Sequence, residues 1–239
     1  MRKILTLLIF TVAFVGLSQA QQKQTVTFGA SKSYTANAEA GTTVDHYLWQ
    51  LVDASDVVVK DLSSELGATV SITWDLTIGE TYRLKSQVVD DKSCVSEVVY
   101  VDVTIAGEAS VLFANRTDNE SIETCSPLLG DAPNLTDFEL IITGGVAPFD
   151  ITYKTTDKDG GVTTTTKSIG VAGDSSPLTG ILSISDFENT SGTNQIVSIE
   201  LVSGVTADGS TVTVDADAAN NTRSVTVYPK PVITNLTLN

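Results

Sequence analysis

Along most of the chain, apolar and polar residues alternate with a period of two, in short runs separated by clusters of Gly, Asp, Asn and Ser. Such alternation sends successive side chains to opposite faces of a strand, one toward a core and one toward water. The clearest unit is 144–169, GGVAPFDITYKTTDKDGGVTTTTKSI. It predicts a strand over 146–156, a turn at Asp157-Lys158-Asp159-Gly160-Gly161 and a returning strand over 162–169. Gly and Asp accept the positive φ of tight hairpin turns, and Thr, Val, Ile and Tyr suit the flanking pleated surface.

The unit recurs with different lettering. A first series of strands is predicted over 25–29, 34–38, 46–52, 57–62, 69–75, 81–90 and 95–105. Tyr47, Trp49 and Leu51 share one face of the third strand. Val99, Val101, Val103 and Ile105 share a face of the last, with Tyr100, Asp102 and Thr104 opposite. A second series runs over 111–115, 135–143, 149–156, 162–169, 178–185, 195–203, 211–215 and 223–228, after a small-sided hinge at Ala106-Gly107-Glu108. Short strands at this spacing point to sandwiches, and 239 residues suffice for two of about 100 residues each. The expected architecture is all-β: two tandem immunoglobulin-like β-sandwich domains, 21–106 and 107–229, followed by a tail strand over 230–239.

The start of the chain reads differently. MRKILTLLIFTVAFVGLSQA has a basic beginning at Arg2 and Lys3, an apolar run, and small residues at Ser18 and Ala20. Those are the three parts of a signal peptide over 1–20, with Gln21 as the expected first mature residue. The apolar run of about 14 residues is short of the ~20 that span a bilayer. No Cys precedes Cys94, so the acylated cysteine of a lipoprotein is missing. The expected location is outside the cytoplasm (secreted, periplasmic or on the cell surface) without a transmembrane anchor.

Trp49 is expected at the centre of the first core, because its neighbours alternate cleanly. Trp74 carries two readings, core residue or surface platform for a sugar, although aromatics are only 6% of the chain and supply such a face poorly. At this point the first half resembles the PKD-like modules of exported Bacteroidota proteins. The likeness rests on DHYLWQL and ATVSITWDLTIGETYRLKSQVVDDKSCVSEVVYVDVTI, with Tyr47, Trp49, Trp74, Gly79, Tyr82 and Cys94 at the matching positions. The Trp-Asp-Phe-Gly-Asp signature is absent after Trp49, so the match is to the looser relatives. In the second half, Gly144, Gly145, Pro148, Phe149 and Tyr153 are similar to the strand openings of gliding-adhesin repeats in the same bacteria. These resemblances imply a non-catalytic role in adhesion, surface display or structural spacing, with protein partners in the cell envelope.

The resemblance also implies a disulfide within each module, but here each half keeps one cysteine, Cys94 and Cys125. A bond between them is favoured by oxidising export and disfavoured by the ~35 Å strand that separates Cys94 from the hinge. The sequence leaves both outcomes open.

Formal net charge is −15, and removing Arg2 and Lys3 makes the exported chain more acidic still. That field repels phosphate backbones, so no nucleic-acid partner is expected. The catalytic inventory is thin. His46 is the single histidine, no Gly-x-Ser-x-Gly elbow and no phosphate loop occurs, and zinc lacks ligands. Calcium is the one cofactor considered. Asp215, Asp217 and Asn220 offer three oxygen side chains in one loop, and Asp157 with Asp159 offer two in the hairpin turn. The tail, VYPKPVITNLTLN, resembles the opening of a type IX secretion sorting domain at Tyr228, Pro229, Pro231, Leu236 and Leu238. Its alternation also suits pairing with the sheet edge of another chain. The sequence therefore supports an exported, non-enzymatic binding or structural protein of the envelope, with a carbohydrate-binding protein acting through Trp74 as the alternative.

Overall fold

The structure, a computed structural model, describes residues 22–114, 121–127, 134–174, 176–185 and 187–230. The predicted signal peptide over 1–20 and residues 231–239 of the predicted tail lie outside the described residues. The chain is all-β, two immunoglobulin-like sandwiches in tandem.

The first sandwich contains β1 (Gln22–Thr27), β2 (Ser31–Thr35), β3 (Val44–Val52), β4 (Val58–Lys60), β5 (Thr69–Thr73), β6 (Thr81–Asp90) and β7 (Val99–Ala106). One sheet has the order β1-β7-β6-β3-β4, and the facing sheet is β2-β5 alone. β1 runs parallel to β7, and the other pairs are antiparallel. Val26, Tyr47, Trp49, Leu51, Val70, Ile72, Trp74, Leu84, Val103 and Ile105 form its core. The alternation works as expected on β5, where Val70 and Ile72 turn inward. The outward residues of β5 and β2 form a ladder of hydroxyl pairs, Ser31 with Thr73, Ser33 with Ser71 and Thr35 with Thr69, each at 2.9 Å.

The second sandwich contains β8 (Ser110–Phe113), β9 (Ser121–Cys125), β10 (Leu135–Thr143), β11 (Phe149–Thr156), β12 (Val162–Ile169), β13 (Leu178–Ser185), β14 (Gln195–Thr206), β15 (Thr211–Val214), a single helical turn α1 (Ala218–Asn221) and β16 (Thr222–Tyr228). One layer has the order β12-β11-β14-β16-β9, and the other is β13-β10-β8-β15. β15 also pairs with the end of β14, so the two layers are joined there. Phe113, Leu140, Ile142, Phe149, Ile151, Leu182, Ile199, Val225 and Val227 fill the core.

The two sandwiches share one plan. The order β1-β7-β6-β3-β4 is matched by β9-β16-β14-β11-β12, with the first strand parallel to the last in each case. The facing layers differ. In the second sandwich β8 lies along the outer edge of β10, antiparallel to it. The corresponding edge in the first sandwich belongs to β2, which pairs only with β5 among the described strands.

The predicted hairpin is present with its returning strand at the expected limits, but its first strand begins at Phe149 rather than at 146. Pro148 has no N–H for a ladder, and Gly144 and Gly145 take φ of 70° and 68°, which no strand accommodates.

Candidate functional site

The sequence-predicted site residues do not converge. His46 Nδ1 contacts Asp45 Oδ2 at 2.8 Å in an exposed pair. Among the described residues no group of three or more His, Cys, Asp or Glu is placed to hold a metal.

The loop carrying Asp215, Asp217 and Asn220 is assembled, but its groups already have protein partners. Asp215 Oδ1 accepts from the Asp217 N–H at 2.8 Å, and its Oδ2 accepts from Asn220 Nδ2 at 3.0 Å. Asp217 is the N-cap of α1, accepting from the Ala219 N–H at 3.0 Å. The buried Arg223 donates to the Ala219 and Thr222 carbonyls at 2.6 and 2.7 Å. Asn220 thus turns a donor, not an oxygen, toward the carboxylate. Calcium requires six to eight oxygens, and this donor set does not fit it. In the hairpin turn, Asp157 Oδ1 likewise accepts from the Asp159 and Gly161 N–H groups, at 2.9 and 2.7 Å. This is an Asx turn that closes the hairpin.

Trp49 lies in the first core and its Nε1 donates to the Gly67 carbonyl at 2.9 Å. Trp74 has 0% exposure and packs edge-on against Tyr34, with ring centroids 5.9 Å apart. A ring with no exposed face cannot stack on a sugar, which corrects the binding role considered for it. Burial pushes the Tyr34 phenol up to about 12, against an opposing pull from Trp74.

Cys94 and Cys125 are free and exposed, and no bond joins them. Topology gives the reason. Cys94 lies in the turn between β6 and β7, at the end of its sandwich opposite Ala106. Cys125 pairs with Tyr228, beside the Gln195–Val227 pair, at the end of its sandwich opposite Thr206. The thiols therefore sit at the outer ends of the two sandwiches, far beyond the ~7 Å that a disulfide permits between Cα atoms.

What the sequence reading missed is the junction. Thr206-Ala207-Asp208-Gly209-Ser210 reads as an ordinary turn between β14 and β15. Asp208 Oδ1 accepts from Thr206 Oγ1 and from the Ser210 N–H, which closes that turn. Its Oδ2 accepts from the Thr27 N–H of the first sandwich at 2.6 Å, and its backbone carbonyl accepts from Lys32 Nζ at 2.7 Å. Burial pushes the Asp208 carboxyl up, but the hydrogen bonds from Thr206, Thr27 and Ser210 outweigh it and hold the group below the usual carboxylate range.

The supposed hinge is clasped as well. The Gly145 N–H donates to the Gly107 carbonyl at 2.7 Å. A Cβ on Gly144 would lie 1.9 Å from the Glu108 carbonyl oxygen, and one on Gly145 would lie 2.7 Å from Ala109 Cβ. The Gly-Gly pair is therefore required by both its positive φ and its close backbone approach. A polar cleft of about 420 Å³, lined in part by Thr27, Ser31, Glu108, Asp208 and Ser210, runs along this junction.

A second feature is the open edge of the first sandwich. Val103 and Ile105 are sealed, at 0% and 1% exposure, yet Val99 on the same face of β7 is 36% exposed. A groove of about 670 Å³ opens there, lined by Gln22 of β1, Tyr34 and Ala36, Trp49, Leu84 and Ser86, and Val98 to Val101. Ser86 is 4% exposed, and its Oγ has no hydrogen-bond partner among the described residues.

No protein-family model matches this chain. None of the curated proteins matches it either. Among solved structures it is similar to the fibronectin(III)-like modules of CbhA from Clostridium thermocellum, with 15% identity, 89% of this chain and 92% of that chain covered, and a TM-score of 0.36. It is also similar to Rst D1-D2, with 14% identity, 88% and 96% coverage and a TM-score of 0.42. A third likeness is to the BSP domain of a biofilm-associated protein, with 12% identity, 89% and 30% coverage and a TM-score of 0.26. Likenesses at these scores concern module type and carry no argument about activity or partner.

Proposed function

We propose that this chain is an exported, non-enzymatic binding and spacer protein of a bacterial cell envelope, an accessory to adhesion, gliding motility or type IX secretion. The observation that carries the reading is the junction: Thr27 and Lys32 of the first sandwich bond to Asp208 of the second, and the Gly144-Gly145 clasp holds the linker at Gly107-Glu108 against the second. A joint fastened this way holds its far ends at a fixed separation, which serves a spacer and would add nothing to chemistry at a single pocket. The resemblance to PKD-like and gliding-adhesin modules supports the same compartment and class. The acidic charge keeps such a surface soluble and turns it away from anionic partners.

The glycan alternative rested on Trp74, whose ring is enclosed, and among the described residues no exposed aromatic pair replaces it. The reading is tested by fractionating cells that express the epitope-tagged chain, followed by cross-linking in intact cells. Recovery from the envelope or medium, cross-linked to envelope proteins, is the expected result. Retention in the cytoplasm would overturn it.

A further inference from the structure

We propose that the open edge of β2 is an acceptor for an added strand, and that the strand is residues 232–238 of a second copy of this chain. The proposal rests on the binding-module reading and names the partner.

The second sandwich shows what belongs at such an edge. There β8 occupies it, antiparallel to β10, and its Val111 and Phe113 alternate into the core at 1% and 0% exposure. The first sandwich has no counterpart among its described strands, and the consequence is visible along the neighbouring faces. Tyr34 and Ala36 on one side of the groove and Val99 and Val101 on the other point coreward but stay partly exposed. Ser86 Oγ, buried and without a partner, borders the same groove. A buried hydroxyl without a partner costs about 1–3 kcal/mol, so a strand supplying one is favoured there.

The segment Val232-Ile233-Thr234-Asn235-Leu236-Thr237-Leu238 has the required lettering. Val232, Leu236 and Leu238 fall on one face at period two, and Thr234 places one hydroxyl on that face. Residues 231–239 carry no charge, which allows docking onto a chain of net charge −15 without repulsion. Backbone ladder bonds supply affinity in this mode, and alternate side chains supply specificity.

The donor must come from another copy. Tyr228 lies at the end of the second sandwich away from the junction, where its carbonyl accepts from the Ser126 N–H at 2.9 Å and Asn189 Nδ2 donates to the Val227 carbonyl at 2.8 Å. The groove lies at the far half of the first sandwich. The twelve residues of β14 alone span roughly 40 Å. A ten-residue extended segment from Tyr228 reaches at most ~35 Å, so it cannot return past the junction. Donation to a second copy is head to tail, a heterologous contact that extends rather than closes.

Three proteins test this by sedimentation velocity over a wide concentration range: the full chain, a groove variant Val99→Asp, and a tail variant Leu236→Asp with Leu238→Asp. Association of the full chain that grows with concentration is expected, weakened at least ~10-fold in either variant. Mixing the two variants should give a one-to-one complex and nothing larger, since each lacks what the other supplies. A synthetic peptide of residues 230–239 should bind the tail variant saturably and alter Trp49 emission, a readout that does not depend on the groove variant folding. A monomeric full chain, tail variants that associate normally, or a peptide that does not bind would each overturn the proposal. Association lost in Val99→Asp but not restored by mixing would point to symmetric pairing of β2 edges and would also overturn it. None of these results alters cell fractionation, so failure here is distinguishable from failure of the envelope reading.

Discussion

Removing the Asp208 side chain strips the Thr27 N–H of its acceptor in a position where Thr27 is only 2% exposed. The Thr27 hydroxyl already lacks a partner among the described residues, so no protein acceptor is at hand and only water entering from the polar cleft that Thr27 lines can replace the carboxylate. Leaving one buried N–H unpaired costs about 1–3 kcal/mol. Thr206 and Ser210 also lose an acceptor, but each keeps the other: Thr206 Oγ1 still donates to the Ser210 carbonyl at 3.3 Å, and the Ser210 N–H still donates to Thr206 Oγ1 at 3.0 Å. The Lys32 bond goes to the Asp208 backbone and survives. Asp208→Ala should therefore cost about 1–3 kcal/mol, and Asp208→Asn, which keeps an acceptor oxygen, less than half of that.

The pH dependence carries a sign. The folded carboxyl lies below its ordinary range, so its contribution is complete above the ordinary carboxylate pKa of about 4. It fades as pH falls through the lowered folded value, and the wild type and Asp208→Asn should converge there. The assay is urea denaturation at neutral and acid pH, followed by Trp fluorescence for the first sandwich and by hydrogen exchange for the second. Uncoupling should appear as two separated transitions in Asp208→Ala. Lys32→Ala, which leaves the turn between β14 and β15 alone, should loosen the same joint more weakly. An Asp208→Ala curve superimposable on wild type at pH 7, within ~0.5 kcal/mol, would refute the reasoning.

Other consequences can be measured on the same protein. Gly144→Ala combines a ~1–2 kcal/mol penalty for a left-handed L-residue with a clash against the Glu108 carbonyl, so thermal melting should drop far more than for Gly209→Ala, where φ is 84° but the space is open. Trp74→Ala should cost about 3–5 kcal/mol by chemical denaturation, the cost of emptying a fully enclosed site, and a near-neutral result would contradict its burial. Asp217→Ala should cost ~1 kcal/mol as a lost N-cap, with melting unchanged by calcium in wild type and variant alike; a calcium-dependent rise of several degrees in wild type alone would contradict the capping role.

The strands were legible because period-two alternation is a local signal, and β10, β12 and β13 have the limits their lettering predicts. β9 was not, since Ser-Ile-Glu-Thr-Cys carries one large apolar residue and its partner β16 lies a hundred positions away. The acidic loop at Asp215 was legible as a turn, but not as a capped helical turn, because four residues give no helical period. The hinge was misread for a physical reason. Small residues at 106–108 signal freedom in isolation, whereas here the Gly107 carbonyl accepts from the Gly145 N–H and the Glu108 carbonyl lies so close to Gly144 that a Cβ there would strike it. Asp208 has an evident role in its own turn, and that role masks the second one across to Thr27. Val99 alternates as well as Val103 does. Only the pairing of β2 reveals that one of them lacks a cover.

The account stands on the two sandwiches being fastened as one body, and the native thiols at its outer ends report on that directly. Spin labels on Cys94 and Cys125 give a distance distribution by pulsed electron resonance without any added cysteine. A fixed joint predicts one narrow, long-distance peak that broadens in Asp208→Ala. A broad distribution in the wild type, unchanged by that substitution, would contradict it.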